Sequence, residues 1–208
     1  MEAGDTDGWV TALAPVLVTV GDGCQQAPFL MRAPLVGDRI QAENYDLGGV
    51  GEAYWDLSAS NSRSTIRQDE GVDIDVTGDA GGGYEIVDTV RREWTEYTFQ
   101  VDQAGLHRFS ARSTASSSGS IRLYIDGELQ AQEVFYLSSG SIPIYRTYSA
   151  SGIALSEGLH VLRLEFQNTG LRLNWTQFEL LTATSIDDWS LPSDVDLVSV
   201  YPNPATSS

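Results

Sequence analysis

The sequence is short of the residues on which much protein chemistry depends. One cysteine, Cys24, in 208 residues rules out an internal disulfide. A catalytic thiol would need a histidine partner. The chain has two histidines, His107 and His160, inside the strand-like runs "LHRFSA" and "LHVLRLEF", where a structural role is expected. Basic residues are also scarce, 12 against 29 acidic, for a net charge of −17. Nucleic acids and anionic membranes are bound through basic surfaces, so neither is expected as a partner. Cations, neutral ligands and a salty medium that screens self-repulsion are compatible with this balance. Long apolar runs are missing too. "WVTALAPVLVTV" (Trp9–Val20) is too short to cross a bilayer and is broken by Pro15. Glu2, Asp5 and Asp7 stand where a secretion signal would carry Lys or Arg. We therefore expect neither a signal peptide nor membrane insertion here, and read the chain as a piece of a longer protein.

What is present is enough for a core. Hydrophobic residues make up 41% of the chain, which argues against global disorder. Residues 1–35 are mixed in texture, and "APFLMRAPLVGD" reads as an extended connection because Pro28 and Pro34 disfavour helix. From Arg39 onward, short β-branched and aromatic runs alternate with Gly, Ser, Asn and Asp. "EWTEYTFQV" places Tyr97, Phe99 and Val101 on one face, and "SIRLYIDGELQ" alternates Ile121, Leu123 and Ile125 before the hairpin signal Asp126-Gly127. "GLHVLRLEFQ" and "LRLNWTQFELL" form another pair around "NTG". Many short strands at this spacing mean an all-β sandwich. "GDAGGGY" leads into no helix and is not a phosphate loop. In "RIQAENYDLGG", a strand would put Gln41 and Glu43 on one face and Ile40 and Ala42 on the other, giving either a solvated face or a pair of oxygen ligands.

The blocks "IQAENYDLGGVGEAYWD", "IRQDEGVDI", "GDAGGGYEI", "EWTEYTF", "SIRLYIDG", "GLHVLRLEF" and "LRLNWTQFELL" occur in that order. Together they resemble a family 6 carbohydrate-binding module over roughly Pro34 to Leu181. The resemblance implies three segments: 1–35 a linker or upstream remnant, 36–182 the module, and 183–208 a linker leading into a C-terminal sorting region. The tail "VYPNPA" resembles the start of a type IX secretion sorting domain. The implied fold is a β-sandwich jelly roll, and the implied role is to bind polysaccharide without cleaving it. The chain would then be an accessory module of a secreted glycoside hydrolase. The resemblance also implies a structural calcium, with Gln41, Glu43 and Glu179 as side-chain ligands and a backbone carbonyl near Arg63; calcium chemistry favours such an oxygen set.

For the sugar, the family likeness points to a loop-end site with Tyr145 as one ring and Asn174 as the amide. Asp88 falls where a second aromatic is expected, so Tyr84 could supply the ring, or Asp88 and Glu85 could hold the sugar by hydrogen bonds. Trp94 is the candidate for a second site on the concave sheet face; Trp55 and Trp175 read as core or sheet-face packing. Two other readings compete. One is an adhesive cell-surface sandwich with a degraded sugar site. The other is a glycosidase using Glu93 and Glu96, which would need two carboxylates facing each other across a cleft.

Overall fold

Alternation of apolar and polar side chains is realised as two facing antiparallel sheets. The computed structural model describes residues 18–19, 25–61, 63, 66–141 and 143–183. In chain order the strands are β1 (Val18–Thr19), β2 (Gln25–Gln26), β3 (Arg39–Gln41), β4 (Tyr54–Trp55), β5 (Ile74–Val76), β6 (Tyr84–Ile86) and β7 (Trp94–Val101). They continue with β8 (Gly105–Ala115), β9 (Gly119–Ile125), β10 (Glu128–Tyr136), β11 (Arg146–Leu155), β12 (Gly158–Phe166) and β13 (Leu171–Ala183). One sheet has the order β10-β9-β12-β7-β4. The other has the order β11-β8-β13-β6-β5, with β3 also paired to β13, and β1 and β2 form a small separate pair. Among the described residues no helix is long and apolar enough to cross a membrane.

The inward positions are those the period-2 pattern picks out. Tyr97, Phe99 and Val101 of β7 and Ile121 and Leu123 of β9 are buried in one core. Phe99 stacks on Phe178 of the opposite sheet at 4.8 Å between ring centroids, and Phe109 packs on Phe178 at 5.1 Å. Each buried aromatic contributes about 1.5–3 kcal/mol through area removed from water. Asp126 (φ 52°) and Gly127 (φ 83°) make the β9–β10 turn, both in the left-handed region that a tight hairpin needs.

The first half of the chain closes the sandwich. Val36 N donates to Gln100 O at 2.9 Å, at the edge of the first sheet, and Gly37 N donates to Phe178 O at 2.9 Å, at the edge of the second. One short crossing thus ties the two sheets together. The segment from Gln26 to Pro34 is anchored to the sandwich, although Leu30, Met31 and Arg32 in its middle are exposed. Ala27 and Ala33 are buried, and Gln26 Nε2 donates to Asp46 Oδ2 at 2.9 Å and Glu96 Oε2 at 2.8 Å. The folded unit therefore reaches upstream of position 36 and takes in part of the segment read as linker. Cys24 and the "YPNPA" phrase lie outside the described residues.

Candidate functional site

The connections after β6, β8, β10 and β12 gather at one end of the sandwich. Thr89 fixes two of them: its Oγ1 donates to Leu171 O at 3.1 Å and accepts from Leu171 N at 3.0 Å, while Gly170 N donates to Thr89 O at 2.9 Å. Between these loops lies a cavity of about 240 Å³, walled by Asp88, Thr114, Ser139, Pro143, Gly170 and Arg172.

Beside it, two carboxylates organise the polar side chains. Glu85 Oε1 accepts from Tyr145 Oη at 2.8 Å and from Arg172 Nε at 2.7 Å. Asp79 accepts both forks of Arg112, at 2.7 and 2.8 Å, and Asn174 Nδ2 at 2.9 Å. The sequence explains the aim of these groups. β13 carries an irregularity between Leu173 and Trp175 where it pairs with β8, so Asn174 is the extra residue of a bulge. A bulge re-aims a side chain without breaking the sheet. Arg172 points to the outer side while Leu171 and Leu173 enter the core.

Electrostatics separates the two carboxylates. Hydrogen bonding from Arg112 holds Asp79 below the usual carboxylate range. Burial pushes Glu85 up, and its bonds from Tyr145 and Arg172 oppose that shift. Burial also raises the Tyr145 phenol.

The structure thus brings together Tyr145 and Glu85, with Asp88 across the cavity from Arg172. It does not leave Glu85 free for a ligand, because Glu85 is fully buried and engaged by Tyr145 and Arg172. Tyr84 packs against the core and does not join the group. Asn174 is 4% exposed, and its amide nitrogen is committed to Asp79. Asp88 sits at φ 50° and pairs with Arg63. A bulky aromatic would be strained in that conformation, whereas Asp tolerates it, which gives a physical reason for the carboxylate at this position. Sequence reasoning missed Asp79, Arg112 and Arg172. The available signal was the outward positions of β13 combined with an acidic residue in the glycine-rich turn, and it needed the pairing register to be read.

The residues expected to hold calcium are placed as follows. Gln41 ends β3, so the strand rule does not carry to Glu43, which lies in the short 3-10 turn Ala42–Asn44. Gln41 borders a cavity that Glu43 does not line. Glu179 is held by Arg108 at 2.6 Å. β13 pairs Trp175 with Gln41, and Glu179 lies four positions further along, roughly 13 Å at strand rise. The ligand expected near Arg63 is a backbone carbonyl, and the pairing of the Arg63 side chain with Asp88 leaves that group out of account. Among the described residues no group of three carboxylate, imidazole or thiol side chains could hold a metal. Glu43 alone keeps a feature that fits a cation: it is 9% exposed and its Oε2 has no partner. Burial raises Glu43 to about 7, and the neighbouring Glu85, whose own Oε2 also lacks a partner, adds to that shift.

Trp94 is half-buried on the outer face of its sheet, with the Arg163 guanidinium 3.9 Å above its ring, so that ring face is covered. Trp55 beside it is 46% exposed. Glu96 is bound by Arg163 and Gln26, and Glu93 accepts Leu57 N and Val90 N. Both are buried and engaged in internal bonds, which leaves neither carboxylate free in the way a glycosidase pair requires.

A sequence profile of the carbohydrate binding module (family 6) matches residues 64–180. No curated protein matches the chain in sequence. Among solved structures, the chain is similar to a family 6 module from Clostridium stercorarium in complex with cellobiose (19% identity, TM-score 0.53, covering 72% of this chain and 98% of that one). It is similar to a β-1,3-glucan-binding family 6 module from Bacillus halodurans (19% identity, TM-score 0.55, covering 71% and 99%). It is also similar to a family 43 arabinoxylan arabinofuranohydrolase from Bacillus subtilis (14% identity, TM-score 0.54, covering 72% of this chain and 28% of the enzyme). At these identities the likeness establishes the fold.

Proposed function

This chain belongs to carbohydrate-binding module family 6, a family of non-catalytic binding modules, and we propose that it holds a polysaccharide at the loop end of the sandwich, in the cavity between Asp88 and Arg172 beside Tyr145. The observation that carries this reading is the shared oxygen of Glu85, which fixes Tyr145 and Arg172 together next to that cavity. An arginine offers planar donors, a carboxylate offers acceptors, and a phenol offers a ring face and a hydroxyl. Vicinal hydroxyls of a sugar need donors and acceptors close together, with an apolar surface for the ring. Asn174 and Arg112 act one step back, by holding Asp79 and with it the glycine-rich turn between β5 and β6.

The same reading makes the module an anchor. Tethering an enzyme to its substrate raises local concentration without any new contact. The arabinofuranohydrolase, in which the matching region is 28% of the chain, supports an arrangement of module plus enzyme. We place the parent protein outside the cell, with "YPNPA" as its sorting phrase. Calcium enters the proposal at Glu43, where an ion would supply the missing partner of Oε2 and steady the turn between β3 and the neighbouring β6.

The test is calorimetric titration of a glycan panel: β-1,4- and β-1,3-glucan oligosaccharides first, since similar modules are solved with cellobiose or named for β-1,3-glucan, then xylan and agar-type oligosaccharides. Loss of binding in both Tyr145→Ala and Arg172→Ala is expected. Unchanged affinity in both variants would move the site away from the loop end.

A further inference from the structure

A second cavity, of about 380 Å³, lies where residues 28–34 fold back over β3 and β7. It is remote in sequence from the loop-end residues, and its walls come largely from the segment upstream of the profile match. Pro28, Phe29, Ile40 and Tyr97 give it an apolar floor. Its size falls in the range of small-molecule sites, which are mostly apolar with a few placed polar groups.

Its charge is unusual for this molecule. The twelve basic residues are all arginines, among 29 acidic residues. Among the described residues seven of the twelve are ion-paired with a carboxylate. Arg32 and Arg39, both exposed, line this cavity, and neither has an ion pair among the described residues. Arg39 lies over the Trp175 ring at 4.4 Å, which fixes its position without neutralising it. Of the two carboxylates in the wall, Asp46 is turned inward, while Asp38 is exposed and has one oxygen taken by a backbone amide. Asp46 is 2% exposed, with Oδ1 accepting Thr98 N at 2.9 Å and Oδ2 accepting Thr98 Oγ1 at 2.6 Å and Gln26 Nε2. Asp38 Oδ2 accepts Leu35 N at 3.0 Å. Asn44 contributes an amide to the rim.

We propose that this cavity is a second ligand site, separate from the loop-end site, that takes a carboxylate-bearing pyranose such as a hexuronate residue. The apolar floor meets the C–H face of the ring, the Arg32 fork takes the planar carboxylate, and the amide of Asn44 reaches a hydroxyl. Arginine is matched to carboxylate by geometry as well as charge, which sets this ligand apart from a neutral hexose.

The experiment is a two-dimensional amide NMR titration of the full chain with sodium D-glucuronate, D-glucose and sodium acetate at matched ionic strength. Glucuronate should shift the amides of Phe29, Arg32, Arg39 and Asn44 together and saturably, with glucose and acetate weaker by at least about tenfold. Arg32 is exposed, so Arg32→Ala should keep the wild-type melting temperature and weaken glucuronate binding about tenfold, and Arg32→Lys should fall between because it keeps the charge and loses the fork. Three results would overturn the proposal. Equal response to glucose removes the role of the carboxylate. Equal response to acetate removes the role of the ring. No shift, or shifts confined to Tyr145, Asn174 and Arg172, leaves this cavity without a ligand and places any binding at the loop end.

Discussion

Tyr145 donates its hydroxyl to Glu85 at 2.8 Å, and the oxygen that accepts it also takes Arg172. Glu85 is fully buried; it lies under the site and sets the spacing of two groups that would face a sugar. Glu85→Gln removes the charge opposite Arg172 while nearly keeping shape. We expect weaker glycan binding by roughly 1–3 kcal/mol, the usual effect of loosening hydrogen bonds to a buried charged group. Tyr145→Phe should lose less affinity than Tyr145→Ala, because the ring face remains. Calorimetry on the three variants checks both expectations, and wild-type affinity in Glu85→Gln would show that the positioning is irrelevant to binding.

Asp79 makes a related prediction about pH. Hydrogen bonding from Arg112 lowers its folded pKa below 3.8. A lowered folded pKa means that the stabilisation is present above the unfolded value and disappears as pH falls through the folded one. Melting temperature in wild type should therefore fall below about pH 4 more steeply than in Asp79→Asn. A melting series from pH 2.5 to 5, run on both proteins, reads this directly.

How much of this was legible in the sequence follows from what each signal depends on. The strands were readable because Tyr97, Phe99 and Val101, or Ile121 and Leu123, obey a local period that burial enforces. The expectations at Tyr145, Asn174 and Asp88 came from family likeness, and the fold brings the three residues to the same region. Arg172 and Asp79 were not readable, because their partners Glu85 and Arg112 are 87 and 33 residues away and meet them only through the register of β13 with β8 and β6. The strand alternation read through Gln41 and Glu43 stops early for a local reason: β3 ends at Gln41 and the chain enters a tight turn, so a two-residue period no longer fixes which way Glu43 points.

The metal proposal separates the carboxylates. If an ion fills the gap at Glu43, calcium should raise the melting temperature and chelator should lower it, since a ligand bound only by the folded state stabilises by about 2.7 kcal/mol at a hundred times its dissociation constant. Glu43→Gln should abolish the calcium response. Glu179→Gln should retain it, because Glu179 is an exposed partner of Arg108. A response lost in Glu179→Gln and kept in Glu43→Gln would reverse the assignment.

The upstream boundary can be tested through Gln26. Its amide joins Asp46 and Glu96, both buried. Gln26→Ala leaves the two carboxylates with one donor fewer and should cost about 1–3 kcal/mol. A chain that begins at Leu35 should lose at least as much, while one that begins just before Val18, and so keeps the strand paired with β2, should melt like the full chain. Equal stability of all three would return residues 25–34 to the status of a linker.

Glu93 supplies the last prediction, with a pH sign opposite to that of Asp79. It is 5% exposed, and burial raises it from 4.5 to about 7, with Asp56 and Asp73 adding to the shift and bonds from Val90 N and Leu57 N opposing it. In the unfolded chain the carboxyl loses its proton near 4.5, while in the folded chain it keeps the proton until about 7. Between those values the folded state binds more protons, so stability falls as pH rises. The total effect is on the order of 1–3 kcal/mol, complete by about pH 7. Glu93→Gln cannot titrate. Its new NH₂ must face one of two backbone donors, which gives a constant penalty at every pH. The melting-temperature difference, variant minus wild type, should therefore start negative near pH 4.5 and climb steadily to about pH 7. Glu43 and Asp46 are also raised by burial, but they are common to both proteins and cancel in that difference. A flat difference across the window would mean that Glu93 is already ionised in the fold, with its two backbone amides outweighing burial.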